Sequence, residues 1–145
     1  MKTALSQNMR RYNYLMSETG AVYHAASVKL GISDSVLQIL YAVCDSGDGC
    51  IPVDICRLTG LTKQTVNSSL RNLERDGIIG FIAVNAKSKK VVLTEKGVLL
   101  SESTVAKIIK AENDVFDSWS DEEVRQYLSL TERYLVALKE KVKAL

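Results

Sequence analysis

Residues 52–79 read PVDICRLTGLTKQTVNSSLRNLERDGII, and the order of breakers and apolar positions in that stretch decides the fold. Pro52 suits the first turn of a helix, where its missing N–H costs nothing, and Gly60 suits the left-handed position that closes one. Thr62 then caps a second helix, with Leu61 and Val66 as its hydrophobic staple. Val66, Leu70 and Leu73 line one side of it until Gly77 ends it. The stretch is a helix, a tight turn and a helix. Cys56, four residues before Gly60, is small enough to sit where the two cross.

Working upstream, Leu5, Met9, Tyr12, Leu15, Thr19, Val22, Ala26 and Leu30 form one apolar stripe, which predicts a long amphipathic helix over residues 5–30, ending near Gly31. Ser33 caps the next helix, stapled by Ile32 and Leu37, which runs through Val43 to the turn-rich DSGDG at 45–49. Downstream, IIGFIAV at 78–84 and KVVLT at 90–94 are β-branched and aromatic, with polar NAKSK between them, which predicts a two-stranded hairpin with a basic tip. Thr94 caps a helix expected to run to about Ser118. Ser120 with Glu123 makes a capping box, and a last helix follows with Val124, Leu128, Tyr134, Leu135, Leu138, Val142 and Leu145 along one face. The fold class is therefore mostly α with a small β-hairpin.

The 145 residues amount to one domain, expected across 1–145, and 46% hydrophobic with 25% charged residues places the chain in the ordinary globular range. No apolar run reaches the roughly 18 residues of a membrane span, and the N-terminus turns polar too soon for a secretory signal. A cytoplasmic protein with no membrane partner is expected. One histidine, His24, leaves little for hydrolytic or metal chemistry, which converges several ligands or a nucleophile–His pair. The expectation is no enzyme, no cofactor and no metal. Cys44, Cys50 and Cys56 are too few and odd in number for a disulfide framework, and their spacing is not that of a zinc site. Cys44 and Cys56 read as small buried residues, with Cys50 the alternative for oxidant sensing, although Asp48 and Asp54 oppose its ionisation.

The net charge of +2 divides unevenly. Between Arg57 and Lys90 seven basic residues face two acidic ones, giving +5 there and −3 for the remainder. Such a block is the footprint of phosphate contact. In the second helix of the pair, Lys63, Gln64, Asn67, Ser68 and Arg71 fall opposite Val66, Leu70 and Leu73, on a polar and basic face. Gln and Asn pair with adenine edges and Arg with guanine, while Lys63 and the Thr62 and Thr65 hydroxyls can reach phosphates at the helix N-terminus. Lys87, Lys89 and Lys90 at the hairpin tip add cations for the backbone or the neighbouring minor groove.

LTKQTVNSSLRNLERDGII at 61–79, followed by a basic hairpin ending in VVLTEKG at 91–97, resembles the winged helix-turn-helix of the MarR family of bacterial transcription regulators. The order of elements is similar over nearly the whole chain. The resemblance implies a sequence-specific DNA-binding regulator: a ligand-responsive repressor acting as a homodimer on a palindromic operator in double-stranded DNA. It further implies that residues 1–31 and 98–145 are dimerisation helices, that 32–97 is the winged helix-turn-helix, and that a small aromatic effector weakens DNA binding. The chain departs from the family's usual Arg at Ser68 and from its usual Asp and Arg at Asn85 and Lys87, which predicts a hairpin tip held less rigidly, without that ion pair. The alternatives from other classes are a winged-helix protein-interaction module without DNA binding and a thiol-based redox regulator.

Overall fold

A computed structural model describes residues 4–145; positions 1–3 of the expected domain lie outside the described residues. The elements are α1 (Gln7–Leu30), α2 (Asp34–Asp45), α3 (Pro52–Thr59), α4 (Lys63–Arg75), β1 (Ile79–Asn85), β2 (Ser88–Leu93), α5 (Glu95–Ser103), α6 (Val105–Asp117) and α7 (Asp121–Lys143). The mostly α reading with one β-hairpin holds. The described chain forms two compact units, one up to Lys107 and one of Ile108–Leu145.

In the first unit, α1, α2, α4 and α5 each start where a hydroxyl can take an orphan N–H, whereas α3 opens on Pro52 after Ile51 with no side-chain cap. Ser6 accepts from Met9, Ser33 from Val36, Thr62 from Thr65 and Thr94 from Gly97. Each such cap is worth about 1 kcal/mol. At Gly31, φ 71° closes α1 in the left-handed conformation, and α1 and α2 meet there at 93°. Gly60 does the same between α3 and α4.

The core lies where α2, α3, α4 and the hairpin meet. Ile39, Leu40, Ile55, Val66 and Val91 are fully buried there, joined by Leu70, Leu73 and Ile79. Each such side chain contributes roughly 1.5–3 kcal/mol on leaving water. Ser69 Oγ donates to Ser35 Oγ at 3.3 Å, a polar tie from α4 to α2.

The two strands pair antiparallel from Ile79↔Leu93 to Asn85↔Ser88, with an irregularity between Ala83 and Asn85 that leaves Val84 without a cross-strand partner. A third backbone segment joins them. Cys50 and Val91 exchange both N–H···O bonds, at 3.0 and 2.8 Å, which fastens the loop after α2 to the hairpin root.

The single helix expected from Thr94 to about Ser118 is two. Thr104 breaks it, with φ −125° and ψ −81°. The Ser103 and Thr104 hydroxyls both donate to the Leu100 carbonyl, at 2.9 and 2.6 Å, and this side-chain competition for a helical acceptor bends the chain.

In the second unit α7 opens with the expected capping box. Ser120 Oγ accepts from the Glu123 N–H at 3.3 Å, and Glu123 Oε2 accepts from the Ser120 N–H at 2.8 Å. The Ser120 N–H first, and the Ser120 hydroxyl donating to Oε2 at 2.9 Å second, hold the Glu123 carboxyl below its ordinary range. Phe116, Trp119 and Tyr127 pack as an aromatic trio around the turn, with ring centroids 5.4–6.1 Å apart. Yet α7 contains no buried residue.

Candidate nucleic-acid interface

The position of α4 follows from its inner face. Val66, Leu70 and Leu73 are buried, so the helical repeat turns the opposite side outward. Lys63, Gln64, Ser68 and Arg71 are exposed on that side, and Asn67 is half-buried. All five expected positions thus share one accessible face. Among the described residues, Lys63 and Arg71 form no ion pair, whereas Arg57 is engaged by Asp54 at 2.7 Å and Arg75 by Asp76 at 3.3 Å. The two cations on the outward face are the ones left uncommitted.

At the N-terminus of α4, Thr62 Oγ1 accepts the Thr65 N–H at 3.1 Å and lies 2.9 Å from Thr65 Oγ1. One hydroxyl proton is used between the two threonines, and the other stays free for an anion in front of the helix end. The structure brings these hydroxyls beside Lys63, where the helix dipole favours negative charge.

The hairpin tip is a two-residue turn, Ala86–Lys87, narrower than the five-residue loop the sequence suggested. Asn85 Oδ1 accepts the Lys87 N–H at 2.9 Å. The tip expected to be less rigidly held is therefore closed by an Asn side chain acting on the backbone, a bond that needs no arginine partner. Lys87 and Lys89 are exposed, and Lys90 is half-buried against the hairpin root. None of the three forms an ion pair among the described residues.

The cysteines reverse the expected order. Cys50, the sensor alternative, is buried, while Cys44 and Cys56, read as buried, are only half so. The cause is the bridge to Val91, which pins Cys50 under the hairpin root, where its Sγ lies 3.6 Å from the Ile51 carbonyl. Among the described residues no cluster of three His, Cys, Asp or Glu side chains could hold a metal. No single described helix is long and apolar enough to cross a membrane.

Sequence reasoning missed two features of the frame. His24, which carried no role, lies 2.8 Å from Asp34. Lys96 Nζ donates to the Asp76 carbonyl at 2.8 Å, tying the first turn of α5 to the end of α4. A lysine two residues past a cap is a recognisable signal for the second, but its acceptor lies 20 residues away.

Residues 30–82, which include α2 to α4, match the model of the MarR family. Among solved structures, NMB1585, a MarR family regulator from Neisseria meningitidis, shares the fold with a TM-score of 0.83 at 14% identity, over 95% of this chain and 98% of that one. S. aureus MepR in its DNA-binding conformation gives a TM-score of 0.74 at 28% identity, over 88% and 98%. The S. aureus MepR–DNA complex gives 0.68 at 23%, over 93% and 99%. No curated protein matches in sequence. The family's model thus falls on the helix-turn-helix segment, and along nearly the whole chain the fold is similar to that of MarR family regulators.

Proposed function

We propose that the protein is a sequence-specific DNA-binding transcriptional regulator of the cytoplasm, acting as a homodimer that represses from a palindromic operator. The single observation that carries this is the outward face of α4, where uncommitted Lys63 and Arg71 flank Gln64, Asn67 and Ser68. A major groove about 12 Å wide admits such a helix, and these side-chain types read base edges there. Thr62, Thr65, Lys87, Lys89 and Lys90 hold the phosphates on either side. The DNA seen bound to S. aureus MepR supports the same use of a similar fold.

In this reading, residues 32–97 read DNA and 1–31 with 98–145 join the two copies, so that 1–145 works as one MarR-like domain. The support is the apolar surface left open on α7, where Leu128, Leu135 and Val142 recur every seven residues and are each about half exposed. Monomeric proteins rarely leave so continuous an apolar stripe in water. A small aromatic effector that favours one spacing of the two reading helices would release the operator by population shift.

The test is selection of bound fragments from the source genome, followed by titration at several salt concentrations. Expected is a recurrent palindrome, with log Kd changing by roughly 0.9 per phosphate contact for each decade of salt. Absence of any selected fragment would favour the protein-interaction module instead.

A further inference from the structure

A cleft of about 370 Å³ opens between the start of α3, the loop after α2 and the hairpin, away from the outward face of α4. Its volume lies within the range of small-molecule sites, roughly 300–1,000 Å³. The Cys50–Val91 bridge ties the loop to the hairpin along the cleft.

The lining has two chemistries. Ile51 and Leu58 from the α3 side and Val84 from β1 supply apolar surface. Leu58 is 55% exposed and Val84 57% exposed, so neither is explained by the core. Val84 is the unpaired residue of the strand irregularity, a device that re-aims a side chain. The charged lining is Asp54, Arg57 and Lys90. Asp54 and Arg57 neutralise each other at 2.7 Å. Lys90 has no ion-pair partner among the described residues, and its stem lies over Gly49, with Cδ 3.4 Å from where a Cβ would stand. The cleft therefore presents apolar lips and one uncompensated cation.

We propose that this cleft binds a small aliphatic carboxylate, with the chain between Leu58 and Val84 and the carboxylate on Lys90. The lining contains no aromatic ring to stack on a planar ligand, and a lone ammonium suits a single anionic head. Lys90 also belongs to the proposed phosphate-contact set, so occupancy would compete with DNA. That consequence rests on the DNA-binding reading; the binding itself does not.

Sodium octanoate titrated into the free, full-length protein, followed by residue-resolved NMR, tests the site. Expected are saturable shifts centred on Cys50, Leu58, Val84 and Lys90, none from octan-1-ol at the same concentrations, and affinity lower by about tenfold in Lys90→Met, which keeps the stem and removes the charge. Val84→Glu, on an exposed position that leaves the core intact, is expected to abolish the shifts. Shifts confined to the apolar faces of α1 or α7, equal responses to octan-1-ol, no saturable shifts at all, or undiminished affinity in Lys90→Met and Val84→Glu would each overturn the proposal.

Discussion

His24 Nδ1 lies 2.8 Å from Asp34 Oδ2, which ties the last turns of α1 to the first turn of α2 across the 93° bend at Gly31. An ionised carboxylate can only accept, so Nδ1 carries the proton of this bond. The His24 hydrogen bond first, and the Ser27 hydroxyl second, hold the Asp34 carboxyl below its ordinary value of 3.8.

A depressed carboxylate contributes stability that is fully present above its unfolded value and is lost as pH falls through the folded one. Wild type is therefore expected to exceed Asp34→Asn in urea midpoint at pH 7. The gap should close as pH falls below 3.8. Both partners are well exposed, so the difference is expected to be small. A constant gap from pH 7 to pH 2 would show that the pair contributes nothing through its charge.

Gly49 and Gly60 both require positive φ, at 99° and 71°, but only one of them is crowded. A Cβ on Gly49 would meet the Val91 carbonyl oxygen at 2.5 Å and Val92 Cγ1 at 2.8 Å, whereas a Cβ on Gly60 would meet nothing within 4 Å. Gly60→Ala should cost only the left-handed strain, about 1–2 kcal/mol. Gly49→Ala adds a clash with backbone and is expected to cost about 3 kcal/mol or more, with loss of the Cys50–Val91 bridge. Urea unfolding of the two variants, with amide exchange at Val91 as the local probe, checks the order.

The contrast between these glycines also marks where the sequence could be read. Ser33, Thr62, Thr94 and Ser120 announce their helices because each cap is completed within three residues of chain, and all four stand where expected. The outward face of α4 was legible for the same reason, since its inner face is fixed by local periodicity. The break at Thr104 was not, because Ser and Thr hydroxyls donating back to a carbonyl leave the apolar spacing undisturbed. Neither was the burial of Cys50, whose partner Val91 lies 41 residues on, nor the bond from Asn85 to the hairpin turn, which depends on a two-residue tip.

Arg71 is exposed on α4 and forms no ion pair among the described residues, while Lys87, Lys89 and Lys90 lie on the hairpin. Base-edge and phosphate contacts respond differently to loss. Arg71→Ala is expected to weaken binding to the selected operator by about 1–3 kcal/mol and to leave binding to unrelated DNA nearly unchanged. Replacing the three lysines by alanine should weaken both and reduce the salt slope by about 0.9 for each contact removed. Fluorescence anisotropy with the two DNAs separates these outcomes, and equal affinities across all three proteins would contradict the assignment.

On α7, Leu128 and Leu135 are 53% and 49% exposed, two turns apart on one face, in a helix with no buried residue of its own. If a second copy covers that face, a carboxylate at either position must be desolvated on association, a cost of several kcal/mol without a partner cation. Leu128→Glu with Leu135→Glu is therefore expected to shift the mass by light scattering from twice the 16.0 kDa of one chain to 16.0 kDa. The melting temperature of the wild type should rise with protein concentration, and that of the double variant should not. The fully buried core contributed by Leu40, Ile55, Val66 and Val91 is untouched, so the winged unit is expected to keep its amide protection. On the proposed reading of a palindrome by two copies, operator affinity should fall steeply in the same variant, because a single copy would contact only one half-site. A double variant that keeps twice the chain mass would place the contact between copies elsewhere than on α7.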